Sequence, residues 1–287
     1  MNNADFKKRL GKLLDCALAE DLGKGGDCTS NALFSPKDIG SAVIKSKEKG
    51  VLSGTYLLAP LFFKIDPSLS VAVLLSDGAP LEPGSEICRL KGSVRSILAG
   101  ERIALNFLQR LSGIATMTAR CVAAIRHTRA KLLDTRKTTP CLRALEKLAV
   151  RHGGGTNHRS GLFDMILIKD THSKQCGGVT AALKKAMTSR GKAKEPKIEI
   201  EVQNAAEFAE ALALRPDRIM LDNMSADAMR RCVEKMSKNC DMRVDLEASG
   251  NISLDNATEV AETGVDFISC GAITHSAKAL DIHLVIV

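Results

Sequence analysis

Between residues 131 and 269 the chain alternates short β-branched runs with stretches whose apolar positions recur every three or four residues. The strand-like runs cover 131–135, 165–169, 197–202, 218–222, 243–248 and 266–269. Helical patterns fill the intervals, at 140–150, 179–189, 205–214, 226–237 and 254–263. Strand–helix alternation of this kind predicts a parallel sheet, open or closed into a barrel. Each strand run stops at a polar or ionisable cluster: DTRK, IKDTH, EIEVQN, LDN, EASGN and SCG. In a parallel α/β barrel such clusters share the C-terminal rim, where these folds place their chemistry.

The segment before residue 95 follows another pattern. An opening helix leads into short strands at 41–46, 50–53 and 71–75, then into GAPLEPGSEICRLKG with its Pro-Gly turn. That pattern predicts a small sheet-containing module. A long helix over 98–126 follows, with Leu105, Leu108, Leu111, Ala115, Ala119 and Val122 on one face. Arg102, Asn106, Gln109 and Gly113 step along another face, as a polar stripe that meets water or lines a cleft.

Composition narrows the classes. At 287 residues the chain has room for two modest domains, or one large domain with an added module. Aromatics are 3%, with no Trp and one Tyr, so the core is built from aliphatic residues and a base-stacking surface is disfavoured. Lys plus Arg exceeds Asp plus Glu by 41 to 33, a net +8 that suits an anionic partner. A DNA-binding protein would string its cations along a helix face; here they sit at strand ends beside carboxylates, so nucleic acid is set aside. No run reaches the roughly 18 apolar residues of a membrane span, and the opening MNNADFKKRLGKLLDCALAEDLG is no secretory signal. The nine cysteines (16, 28, 88, 121, 141, 176, 232, 240, 270) form no CxxC pair, which predicts reduced thiols, no zinc site and a cytoplasmic protein.

Three clusters carry candidate chemistry. Arg136 and Lys137 follow the first barrel strand, His158 and Arg159 lie in GGGTNHRSG, and Lys169 ends the next strand. These five potential cations either pair with carboxylates on a solvated rim or repel one another until an anion sits among them. Glu199 and Glu201 alternate with Ile on one strand and so point to one side; Asp222 ends another strand. Such carboxylates suit Mg²⁺ held jointly with substrate oxygens, or serve as partners for the Arg and Lys groups. Ser249-Gly250-Asn251 and Cys270-Gly271-Ala272 follow the last two strands, where barrels bind phosphate. The first of these loops is expected to run directly into a helix that presents free N–H groups. His152 to Gly155 allow close backbone approach, and the basic stretch 184–197 is expected to be a solvated loop. His127, His275 and His283 have no ligand-like spacing, and Cys141 and Cys270 lack a neighbouring base that would make them nucleophiles.

Taken together, ALAEDLGKGGDCTS, GERIALNFLQRLSGIAT, DTRKTTPCLRALEKLAVRHGGGTNHRSGLFDMILIKDTH, IEIEV, IMLDN, LEASGNI and FISCGAITHSAKALDI resemble the quinolinate phosphoribosyltransferase family, in order and over nearly the whole chain. The sequence departs from the family pattern at Cys141, where Gly is usual, at Leu148, where an aromatic is common, and at Thr171, where Asn is usual. The resemblance implies an N-terminal α/β sandwich (1–113, with 275–287 packing back on it) and a partly open α/β barrel (114–274). It also implies a homodimer in which Arg102 reaches the partner's site. Arg136, Lys137, Thr138, His158, Arg159 and Lys169 would then bind quinolinate and the pyrophosphate of phosphoribosyl pyrophosphate, with Lys137, Lys169, Glu201 and Asp222 counted as catalytic candidates. Glu201 and Asp222 would position the Mg²⁺ complex of the donor, and Ser249, Gly250, Asn251 and Gly271 the 5′-phosphate. A related transferase with another acceptor, such as nicotinate, or the paralogue associated with molybdenum transport operons is the alternative. A catalytically dead scaffold is disfavoured, because every ionisable position of the motifs is present.

Overall fold

The computed structural model describes residues 3–191, 195–238 and 243–287. The elements begin with α1 (Asn3–Leu22), α2 (Cys28–Leu33), β1 (Ile39–Ser46) and β2 (Gly50–Val51). A 3-10 turn at Thr55–Leu57 leads to α3 (Leu58–Ile65), β3 (Ser70–Val73), β4 (Pro80–Leu81), β5 (Glu86–Ser93) and the long α4 (Val94–Ile125). Then come β6 (Lys131–Leu133), α5 (Arg143–His152), β7 (Ile166–Ile168), α6 (Asp170–Cys176), α7 (Val179–Arg190) and β8 (Ile198–Val202). The chain continues through α8 (Ala205–Leu214), β9 (Arg218–Asp222), α9 (Ala226–Ser237) and β10 (Asp245–Ser249). It finishes with α10 (Ala257–Ala261), β11 (Phe267–Ser269), α11 (Ala272–His275) and β12 (Ile282–Ile286). No described helix is long and apolar enough to cross a membrane. The eight cysteines among the described residues are free thiols; Cys240 lies outside them.

Two units result. The first takes the described part of Met1–Met117 together with Thr139–Gly154 and Ala277–Val287. Its sheet has the order β12-β1-β5-β3, with every pairing antiparallel. Ala42 and Ile44 of β1 are fully buried and pair with Leu90 and Cys88 of β5, placing an apolar row on one face. Leu52, Leu57, Leu61, Phe62 and Ile97 complete a core that is almost entirely aliphatic. On α4, Leu105, Leu108, Leu111 and Ala115 are buried as their spacing predicts, and Arg102 and Asn106 are exposed. Lower on the same polar stripe the side chains are structural. Gln109 Nε2 donates to the Ile282 carbonyl at 2.7 Å, and a Cβ at Gly113 would run into the Lys278 carbonyl.

The expected boundaries, 1–113 and 114–274, differ from this division, because residues 139–154 group with the first unit. The physical reason is Glu146 on α5, which has 0% exposure. It accepts from Arg110 Nη2 at 3.1 Å and from Thr139 Oγ1 at 2.7 Å, and a buried carboxylate needs such partners. His152 Nδ1 also lies 2.9 Å from Ser53 Oγ.

The second unit is Thr118–Thr138 plus the described part of Gly155–Ser276. Its six strands are all parallel, in the order β6-β11-β10-β9-β8-β7. Ile198, Ile200, Val202, Ile219, Leu221, Leu246, Ala248 and Ile268 are buried on these strands, as helix-covered parallel sheets require. Asn204 caps α8 by accepting from Ala206 N and Glu207 N, and Ser225 caps α9 through Ala228 N. Helix α6 was not expected; it lies directly after β7 and closes at Gly177 in the left-handed conformation. The basic stretch 184–197 begins inside α7 and is no simple loop, and residues 192–194 of it lie outside the described residues.

Cys141 stands at φ 66°, a left-handed conformation that costs a residue with a Cβ about 1 kcal/mol. Replacing it with glycine relieves that cost, even after glycine's extra unfolded-state entropy is counted. Cys141→Gly is expected to leave the fold intact and raise the urea midpoint of unfolding; a lowered midpoint contradicts the strain.

Candidate active site

The C-terminal ends of the six parallel strands carry the ionisable clusters. Beneath the rim lies a buried ionic group. Glu199 on β8 and Glu247 on β10 have 0% exposure, and the His158 side chain is 6% exposed. His158 Nε2 stands 3.1 Å from Glu199 Oε2 and 3.5 Å from Glu247 Oε1. β8 and β10 are separated in the sheet by β9, so their side chains converge only because the sheet curves, as a partly open barrel does. Arg218 Nη1 donates to Glu247 Oε2 at 2.7 Å, and its guanidinium lies 4.0 Å from the Phe267 ring centroid. Burial and then the neighbouring Glu247 raise the Glu199 carboxyl to about 7. Against the effect of burial, the Glu199 and Glu247 carboxyls pull the His158 pKa up, and with Nδ1 accepting the Arg159 N–H the proton they hold is the one on Nε2.

His158, expected among the rim cations, has its side chain on this buried side. Its ring points inward, and its Nδ1 accepts the Arg159 backbone N–H at 2.6 Å. The His158 N–H itself donates to Asp134 Oδ1 at 2.8 Å, and Asn157 Nδ2 donates to Asp134 Oδ2 at 2.6 Å. The loop GGGTNHRSG is thereby fixed at its second half, and Arg159 is its product. The Arg159 guanidinium donates to the Met165 carbonyl at 3.2 Å. Its pKa is lowered by burial first and by nearby Arg136 second, so two guanidinium groups share one neighbourhood.

Around this floor the rim combines both signs. Lys169 Nζ lies 3.5 Å from Glu201 Oε1, and the Asp170 N–H donates to Glu201 Oε2 at 3.3 Å. Glu201 is pushed up by burial, pulled down by Lys169 and pushed up again by Asp222, which places the two carboxylates in each other's field. Asp222 ends β9, and Glu201 lies one residue before the end of β8, two residues beyond the buried Glu199. Lys137 is exposed and its carbonyl accepts Thr274 Oγ1 at 2.8 Å; a Cβ on Gly271 would stand 3.2 Å from Lys137 Cδ. Thr138 follows at the boundary of the unit and is half-buried.

The glycine loop after β10 is bound to the loop after β9. Asn223 N donates to the Ser249 carbonyl at 2.9 Å. Gly250 has φ 107°, and any Cβ there would collide with the Asn223 side chain and backbone, so only glycine fits. Asn223 and Asn251 both take positive φ, at 55° and 50°. The expected helix does not begin at once: α10 starts at Ala257 with Asn256 before it. Ser249, Gly250 and Asn251 therefore form a backbone turn without a helix terminus immediately behind it. Arg102 belongs to the first unit, exposed on α4.

Residue patterns alone did not single out Asp134, Arg218, Asn223 and Glu247. Asp134 and Glu247 lie inside the DTRK and EASGN neighbourhoods, so their strand-end position was a usable signal. Arg218 opens β9, and nothing local marks its pairing with Glu247.

The raised Glu199 carboxyl sets the sign of a pH effect. A group whose folded pKa lies above its ordinary value contributes stability that is complete below about 4.5 and lost as pH rises through about 7. Glu199 is therefore expected to contribute a fall in the unfolding midpoint between pH 5 and pH 8. Glu199→Gln keeps the shape without the titration, so its midpoint curve should be flatter over the same range. Parallel curves would contradict the assignment.

Residues 27–112 match the family described as quinolinate phosphoribosyl transferase, N-terminal domain, and residues 114–285 match its C-terminal domain. The chain is 41% identical over 276 residues to a probable nicotinate-nucleotide pyrophosphorylase (carboxylating) of Bacillus subtilis, covering 96% of this chain and 93% of that one. The nicotinate-nucleotide pyrophosphorylase of Francisella tularensis superposes with a TM-score of 0.90 at 39% identity, covering 98% and 96% of the two chains. That of Ehrlichia chaffeensis superposes at 0.89 and 34% identity, covering 96% and 98%. With both domain matches running along one chain, over a barrel rim that carries the ionisable residues of the motifs, the protein belongs to the quinolinate phosphoribosyltransferase family.

Proposed function

We propose that the chain transfers the phosphoribosyl group of phosphoribosyl pyrophosphate to quinolinate, releasing pyrophosphate and carbon dioxide and forming nicotinate mononucleotide for NAD biosynthesis. The observation that carries this reading is one rim on which Arg136, Lys137, Arg159 and Lys169 stand beside Glu201 and Asp222. Family membership supports it.

In this reading Arg136, Arg159 and Lys169 hold the two ring carboxylates, each guanidinium offering a planar pair of donors. Lys137 and Thr138 serve the pyrophosphate, while Ser249, Gly250, Asn251 and Gly271 receive the 5′-phosphate through backbone N–H groups. Departure of pyrophosphate leaves a cationic ribosyl C1, which the pyridine nitrogen attacks. The quaternised ring nitrogen then accepts the electron pair released as the adjacent carboxylate leaves as CO₂, and a proton takes its place on the ring. Lys137 and Lys169 are the proton carriers closest to hand, and the rest of the work is alignment and electrostatics.

Glu201 and Asp222 fit a hard divalent cation. They lie at the C-terminal ends of adjacent strands, Glu201 one residue before the last, and among the described residues no third His, Cys, Asp or Glu joins them in a compact ligand set. That donor set suits Mg²⁺, which keeps most of its coordination for water and substrate oxygens. Bound there, Mg²⁺ would supply neutralisation of the leaving pyrophosphate. We further propose a homodimer whose rim is completed by Arg102 of the partner subunit.

Quinolinate, phosphoribosyl pyrophosphate and Mg²⁺ should together yield equimolar CO₂ and pyrophosphate, and chelation should abolish both. Arg159→Gln is expected to lower kcat/KM for quinolinate by about 100-fold, the usual scale for stripping one partner from a desolvated charge pair. Preferential use of nicotinate, or no turnover by well-folded protein, overturns the assignment. Mixing inactive Arg102→Ala and Lys169→Ala chains should restore about a quarter of wild-type activity, because half the random dimers carry one intact site. No recovery on mixing contradicts the shared site.

A further inference from the structure

The His158, Glu199 and Glu247 cluster is the one compact group of three potential ligands among the described residues, and it lies outside the roles given so far. Its position in the barrel interior, with two carboxylates at 0% exposure, needs a physical reason. A resident metal ion is the first candidate, and the hydrogen bonding argues against it. Nδ1 of His158 accepts the Arg159 N–H, so the ring carries its proton on Nε2, the atom a metal would need. Arg218 already supplies a cation to Glu247 at 2.7 Å.

What the cluster does instead can be followed along the chain. Glu199 and Glu247 grip His158 Nε2 from two strands. The far side of the same imidazole holds the backbone of Arg159. The backbone of His158 is held by Asp134, which also takes Asn157 Nδ2. Both main-chain amides that aim Arg159 are thus tied to buried carboxylates, one directly and one through the ring. The Arg159 guanidinium is anchored in turn by the Met165 carbonyl.

We propose that Glu247, together with Glu199, is a positioning residue that acts through His158 to aim Arg159, and so sets affinity for the dicarboxylate acceptor and not for the phosphoribosyl donor. The inference rests on the role given to Arg159 above. Such second-layer groups hold a binding side chain within the narrow tolerance that recognition requires.

The test compares steady-state constants of the full-length wild type and Glu247→Gln, which preserves size and keeps an acceptor for Arg218. KM for quinolinate is expected to rise about tenfold, with KM for phosphoribosyl pyrophosphate and kcat within twofold of wild type. A general loosening of the fold would shift both KM values together and lower the melting temperature in step with activity, and that result overturns the proposal. Unchanged constants overturn it as well. If Glu247→Gln is insoluble, Glu199→Gln decides by the same comparison of the two KM values; insolubility of both marks the cluster as purely structural and overturns the inference. Stoichiometric zinc or another transition metal in the purified chain, by elemental analysis, that is lost in Glu247→Gln would also overturn it. A wild type without quinolinate turnover removes the functional reading itself, which keeps that failure distinct from a variant that simply behaves like wild type.

Discussion

Two unit charges of like sign about 5 Å apart repel by roughly 3 kcal/mol at the effective dielectric of a protein surface. A rim that gathers Arg136, Lys137, Arg159 and Lys169 is therefore stable only if opposite charge reaches it from elsewhere. It arrives in two layers. Glu201 and Asp222 stand on the rim itself, and Glu201 meets Lys169 directly. Glu199 and Glu247 lie one layer down, where Arg218 pairs with Glu247, His158 Nε2 faces both and the loop bearing Arg159 is fastened. The remaining positive potential at the surface is what an anionic ligand would meet.

The same strand shows how finely position divides chemistry. Glu199 and Glu201 are two residues apart on β8 and point to the same side, yet one is sealed in the barrel and the other keeps some exposure at its mouth. A rise of about 3.3 Å per residue separates them by a little under 7 Å. That distance is enough to turn one carboxylate into a structural partner of His158 and to leave the other for a cation or substrate. Sequence spacing places both on one side of the pleat, but depth within a curved sheet is a tertiary property.

Most of the second unit was legible from residue patterns. Strands 218–222 and helices 205–214 and 226–237 fall where periodicity places them, because buried parallel strands and capped amphipathic helices each carry a strong local signal. The strand-end rule also located the ionisable rim. What escaped is what depends on distant partners. Helix α6 is short and polar, and it forms where β7 emerges beneath Glu201. Grouping of 139–154 with the first unit depends on the Arg110–Glu146 pair, which no window of sequence contains. The inward turn of His158 likewise follows from carboxylates on two later strands.

One feature of the first unit bears on how the chain reaches its folded state. Strand β1 is flanked by β5 on one side and by β12 on the other, with Ala42 opposite Ile286 and Ser46 opposite Ile282. During synthesis the barrel strands emerge in full before the segment that flanks β1 exists. Until then β1 presents an unpaired edge rich in aliphatic side chains, the kind of surface on which nascent chains stick to one another. The first unit is thus completed only once β12 has emerged, and protection of that edge in the cell falls to whatever shields it while the ribosome is still at work.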